Sequence, residues 1–199
     1  MLLFDALEAQ IPATRSPTRL IAALATTLAA LAFAAPAAAQ FPAPQDFTLA
    51  IANGSRAGVQ KIELDAGWTQ TQPLWQGQVW RVRLRHEIAL GAWYVPQERT
   101  ITEFGYSPVL RLEKPGASER TFFVEGSIGV RLLSHTRLAP RTPLSTGFQF
   151  ADMLGTGVQF GQGSGAQTVG LRFQHQSNAD IKHPNPGINF VMMYYRYDL

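Results

Sequence analysis

The sequence predicts an all-β protein, an antiparallel eight-stranded transmembrane β-barrel of the outer membrane. Three observations carry this. Residues 78–95, QVWRVRLRHEIALGAWYV, alternate apolar and polar throughout, far beyond the five or six residues usual for a strand in a globular domain. The same two-residue period returns along the rest of the chain, about ten residues at a time and flanked by aromatics, as small membrane barrels require. After residue 40 no apolar run reaches the roughly 18 residues of a membrane-spanning helix.

The first 39 residues stand apart. Arg15 and Arg19 precede the apolar run LIAALATTLAALAFAAPAAA, which closes on Ala37-Ala38-Ala39 before Gln40. A basic lead, a short apolar stretch and small residues before a cut form a secretory signal peptide. Residues 40–56 read as an N-terminal lead-in, and residues 57–199 as the barrel. Within it, Ile62, Leu64, Ala66 and Trp68 share a face opposite Lys61, Glu63 and Asp65. Trp80, Val82, Leu84, His86, Ile88 and Leu90 oppose Arg81, Arg83, Arg85 and Glu87. Phe104, Tyr106, Leu110 and Leu112 form a third apolar face, and Phe122, Val124, Ile128, Val130 and Leu132 a fourth. Phe148, Phe150, Leu154, Val158 and Phe160 alternate with Gly147, Gln149, Gly155, Gly157 and Gln159. Val169, Leu171 and Phe173 alternate with Gly170, Arg172 and Gln174, and a tyrosine-rich strand ends the chain. Turn signals separate these runs at VPQERT, EKPGASE, RLAPRTP, GQGSGA and KHPNPG.

In such a barrel the apolar faces meet lipid, and closure removes the sheet edges that hydrocarbon cannot satisfy. Arg81, Arg83, Arg85 and Arg131 with Glu87 and Glu125 then form an interior ion-pair network. Trp75, Trp80, Trp93, Tyr94 and Tyr195 read as interfacial girdle residues. A soluble lipocalin-like barrel is the competing architecture, with Trp80, Val82 and Leu84 turned inward on a ligand cavity. The net charge of +3 is scattered, so no nucleic-acid stripe is present. The chain has no cysteine, hence no disulfide and no thiolate. The histidines lack metal-ligand spacing with carboxylates, and no metal or cofactor is called for.

Chemistry enters in FQHQSNADIKHPNPGINF, residues 173–190. The odd phase Val169, Leu171, Phe173 continues into His175 and Ser177, so a base and a hydroxyl project from the lipid-facing side at the strand end. If Ser177 lies opposite Gly187 in the last hairpin, His175 lies opposite Asn189. Polar groups aimed at lipid are costly and point to function. A histidine can take the serine proton, and loop N–H groups or the amides of Asn178 and Asn185 can stabilise an ester oxyanion. With both termini in the periplasm, this cluster sits at the outer leaflet.

The segment HQSNADIKHPNPG resembles the HxSNAxxKxPNxG motif of the PagL family of lipid A deacylases, and RLLSHTRL, LSTGFQF and GTGVQFG also resemble it. The resemblance implies an eight-stranded barrel that removes the 3-position acyl chain of lipid A, with lipid A or lipopolysaccharide and the outer membrane as partners. It implies Ser177 as nucleophile, His175 as base, Asn178 as a critical neighbour and Asn185 as a second motif asparagine. One position departs from the family: Asn189 stands where the family has glutamate. Asparagine can hold the histidine tautomer but offers no charge to the imidazolium, and in serine proteases removing the carboxylate charge costs roughly 10⁴ in rate. Asp180 is the nearest loop carboxylate in sequence. The alternatives are a non-catalytic lipid A-binding barrel and a purely structural one; whether the barrel forms a homodimer is left open. The leader is tested directly: N-terminal sequencing of the membrane-inserted protein is expected to begin at Gln40, and a start at Met1 would overturn the assignment.

Overall fold

The computed structural model describes residues 42–116, 119–139 and 143–199. The leader expected over residues 1–39 lies outside them. Nine strands follow in order: β1 (Asp46–Gly54), β2 (Gln60–Thr69), β3 (Trp75–Gln76), β4 (Arg81–Tyr94), β5 (Ile101–Pro115), β6 (Arg120–Leu133), β7 (Phe148–Phe160), β8 (Gln167–Ser177) and β9 (Ile188–Asp198). All pair antiparallel. Each of eight strands meets its chain neighbour, β2 pairs with β4, and β1 pairs with β9 from Asp46↔Asp198 to Gly54↔Phe190. The ring is therefore closed, and no spanning strand keeps a free edge. The two-residue β3 pairs only with the start of β4 and stands outside the ring.

The first strand corrects the expected boundaries. Residues 40–56 are not a lead-in, because β1 occupies Asp46–Gly54 and is bonded on both sides. Its sequence DFTLAIANG alternates like the others, with Phe47, Leu49 and Ile51 outward and Asp46, Thr48, Ala50 and Ala52 inward. Without it the ring would have two bare edges.

The outward face is apolar around the ring: Leu49, Leu64, Leu90, Phe104, Val124, Leu154, Leu171 and Met193 are all exposed. Trp75 and Trp80 are exposed at the end that carries the termini, and Tyr94 at the opposite end. Lys114 Nζ lies 5.8 Å from the Trp80 ring centroid, a cation beside an aromatic at the rim. This is a transmembrane barrel: Val82 and Leu84 share the outward phase of Leu90 and do not surround a ligand cavity, although Leu84 is itself covered.

Two different fillings occupy the inside. The middle and the terminal end hold charge. Arg172 reaches Glu125 at 2.8 Å, Glu87 at 2.9 Å and Asp65 at 3.5 Å. Arg196 bridges Glu87 and Asp46, and Arg85 reaches the same two carboxylates. Lys61 bonds Glu63 and Glu103, and Arg131 pairs with Glu103. The opposite charges thus meet in two sets. The first joins β1, β2, β4, β6, β8 and β9 around Arg172, Glu87 and Arg196, and Lys61, Glu63, Glu103 and Arg131 form a second from β2, β5 and β6. Strand β7 makes room for the first set: a Cβ on Gly155 would lie 3.0 Å from Arg172 Cγ and 3.2 Å from Glu125 Cγ.

The other end is sealed by an apolar plug of Trp93, Phe190, Ile101, Ile188, Leu138 and Leu144, all essentially inaccessible. Trp93 therefore corrects the girdle assignment. It sits on the inward phase of β4, packs edge-on against Phe190 at 4.8 Å between centroids, and donates its indole N–H to Glu103 at 3.1 Å. Strand parity outweighs the general preference of tryptophan for interfaces.

Replacing Arg172 by methionine leaves Glu125, Glu87 and Asp65 short of their shared cation. Breaking such a buried network is expected to cost about 3–5 kcal/mol, read as a lower urea midpoint for unfolding in detergent micelles.

Candidate active site

Strand β8 leaves the apolar belt at Phe173 and carries His175 and then Ser177 on its outward phase, both half-buried. In the β8–β9 ladder His175 is directly opposite Asn189. The ring nitrogen Nδ1 lies 2.6 Å from Asn189 Oδ1. Since an amide oxygen only accepts, Nδ1 carries the proton and Nε2 keeps its lone pair. The ring is then poised as a base through Nε2, the nitrogen that can serve a hydroxyl. Gly187 crosses the edge of the ring at φ 56°, where an added Cβ would lie 2.8 Å from His175 Cε1 and 3.3 Å from Nε2. Close passage here demands glycine twice over, for space and for backbone conformation. The Ser177 hydroxyl makes no hydrogen bond among the described residues. Such contacts commonly tighten only when substrate fills the site.

The β8–β9 loop is built around Asn178. Its fully buried side chain donates through Nδ2 to the Lys182 carbonyl at 2.8 Å and the Leu144 carbonyl at 3.4 Å. Its backbone N–H donates to Asn185 Oδ1 at 3.1 Å, and Asn185 Nδ2 donates to Asp180 Oδ1 at 3.1 Å. Both asparagine amides are thus engaged in fixing the loop. Ala179 and Asp180 adopt left-handed backbone, φ 51° and 62°, and their N–H groups donate to nothing among the described residues. Successive free N–H groups in a turn make an anion-binding concavity.

Neighbouring loops brace this one. Ser145 Oγ donates to the Pro184 carbonyl, Arg56 donates to the Pro186 carbonyl at 2.8 Å, and Ser55 Oγ accepts the Asn189 N–H at 3.0 Å. Asp180, the loop carboxylate nearest in sequence, is largely exposed and turned to Asn185 and to His183, 4.0 Å away. It makes no contact with His175. A different carboxylate does face the ring from the other side. The β7–β8 ladder sets Asp152 directly opposite His175, and Phe150 opposite Ser177. Asp152 shares the outward phase of Phe148, Phe150 and Leu154, so its parity was readable, but its partner depended on register.

Next to the cluster the outer wall is grooved. A shallow depression of about 340 Å³ is lined by Val124, Leu154, Thr156, Leu171, Phe173 and Val191, and a second of about 660 Å³ continues it along Val158 and Val169. Among the described residues no group of histidine and carboxylate side chains could hold a metal ion.

The barrel and its lipid-facing cluster have recognisable relatives. The family model for lipid A 3-O-deacylase (PagL) matches residues 60–198. The lipid A deacylase PagL of Bordetella bronchiseptica is 31% identical over 132 residues, 64% of this chain and 71% of that protein. The lipid A deacylase PagL of Pseudomonas aeruginosa is 29% identical over 152 residues, 76% of this chain and 84% of that protein. A crystal structure of the outer membrane enzyme PagL superposes with a TM-score of 0.70 at 27% identity, covering 77% of this chain and 99% of that one. The chain is a member of the lipid A 3-O-deacylase (PagL) family.

Proposed function

We propose that this barrel is an outer-membrane serine esterase that hydrolyses the 3-position ester-linked acyl chain of lipid A. The observation that carries the reading is the His175–Asn189 bond on the lipid-facing side, one strand repeat from a free serine hydroxyl and beside an apolar groove. A base with its lone pair reserved for a hydroxyl has little structural value at a lipid surface, and it is the arrangement that acyl transfer needs.

In the first half of the reaction Ser177 Oγ attacks the ester carbonyl carbon while His175 Nε2 takes the hydroxyl proton. The carbonyl oxygen becomes an oxyanion, held by the N–H groups of Ala179 and Asp180. These are favoured over the Asn178 and Asn185 side-chain amides, which are occupied within the loop. Collapse of this intermediate breaks the bond to the sugar oxygen, which leaves with the proton from Nε2. Water then attacks the acyl-serine, again passing its proton to Nε2. The acyl product departs as a carboxylic acid and Ser177 recovers its proton. Asn189 accepts the Nδ1–H throughout and keeps the ring in the working tautomer. The released chain lies in the groove past Phe173 and Leu171, where apolar contact holds it at about 25 cal/mol per Å² buried.

The test is mass spectrometry of lipid A from cells carrying the wild-type barrel or Ser177→Ala, with folding checked by heat-modifiable gel mobility. Loss of one 3-hydroxyacyl group with the wild type and not with Ser177→Ala is expected. Lipid A left intact by a folded wild-type barrel would favour the competing reading, a lipid A-binding relative without turnover. The ring's environment gives a second test. Gly187→Ala pushes a methyl group into His175 at a left-handed backbone position, and deacylation is expected to fall at least about 10-fold, as sub-ångström misplacement of a catalytic group does. Unchanged turnover would mean that the ring position seen here is not the working one.

A further inference from the structure

Asn189 orients the His175 ring but brings no charge, so the imidazolium formed during ester cleavage lacks a counter-ion on that side. The opposite strand supplies one. Asp152 on β7 is paired in register with His175, and outward side chains on directly opposed residues start about 4.5–5.5 Å apart at Cβ. The carboxylate interacts electrostatically with the ring. Its other outward neighbours are Ile128 across β6, and Phe150 and Leu154 along β7. None is charged. Asp152 has no hydrogen bond or ion pair of its own among the described residues. It is also the one carboxylate on the lipid-facing phase of the described strands; Asp46, Glu63, Asp65, Glu87, Glu103, Glu113 and Glu125 all point into the barrel and are buried. A lone acid facing hydrocarbon is costly and is retained where it has a task.

Resting on the deacylase reading above, the geometry points to Asp152 as a positioning residue that acts through His175: the two duties usually combined in one acidic residue are divided here, Asn189 fixing the tautomer from β9 and Asp152 supplying the negative charge from β7. No bond to Asp152 forms or breaks. When Nε2 takes the Ser177 proton the ring becomes cationic between an amide and a carboxylate, and it returns to neutral when the proton passes to the leaving sugar oxygen.

The test compares wild type, Asp152→Asn, and Asp152→Asn combined with Asn189→Glu, each as the full folded barrel in detergent micelles with purified lipopolysaccharide. Asp152→Asn is expected to lower kcat about 100-fold, the scale of losing one preorganised electrostatic group, with KM nearly unchanged. Moving the carboxylate to the other side of the ring in the double variant is expected to restore kcat to within about 10-fold of wild type, which a structural or substrate-binding role for Asp152 would not produce. Turnover by Asp152→Asn equal to wild type would overturn the proposal, and so would a loss that Asn189→Glu leaves unrepaired. Either result would leave the deacylase reading standing; a folded wild-type barrel without turnover would overturn both.

Discussion

Hydrocarbon offers no partner to a backbone N–H or C=O, and this constraint orders everything else in the molecule. Each spanning strand must be bonded on both sides, so the sheet has to close, and β1 against β9 is the seam that closes it. Closure fixes a single inside and a single outside. Once that distinction exists, the two-residue period of every strand assigns each side chain to lipid or to the lumen.

The lumen of so narrow a ring has no room for a conventional core. Arg172, Glu125, Glu87, Arg196 and Asp46 fill it with paired charge, and the Trp93–Phe190 plug closes one end. Unpaired, any of these ions would be prohibitively costly in the interior. Paired from five strands at once, they tie the wall together across the axis. The consequence for function is stiffness. Residues at the end of β8 and the start of β9 are mounted on a wall braced from within, while the loop beyond them is held by Asn178, Ser145 and Arg56.

Chemistry on the outside of a barrel inverts the usual relation of site and protein. Most active sites are clefts that collect a substrate from water, whereas here the substrate's acyl chains are the solvent. The site needs no deep pocket, only polar groups at the depth where ester bonds lie and an apolar groove leading away. His175, Ser177, Asn189 and Asp152 gather polar groups at one end of a largely apolar outer surface, and their outward phase sets them apart from the interior charges.

The barrel class, the lipid-facing phase and the two-residue spacing of His175 and Ser177 were legible in the sequence because side-chain parity along a strand is a local property. His175 opposite Asn189 followed only on the condition that Ser177 faces Gly187, because a ten-residue loop joins β8 to β9 and leaves the register open. Three matters were not legible. The segment 46–54 reads as part of a lead-in by itself, and only its pairing with β2 and β9 shows that the ring needs it. Trp93 looked like an interfacial aromatic, although its own parity pointed inward. Asp152 lies on a visible outward phase, yet 23 positions of chain and a turn of unstated geometry separate it from His175. By itself the sequence determined which way each side chain points; only the tertiary structure decided which side chains meet, because register between strands is set by the closed ring as a whole and by no single strand within it.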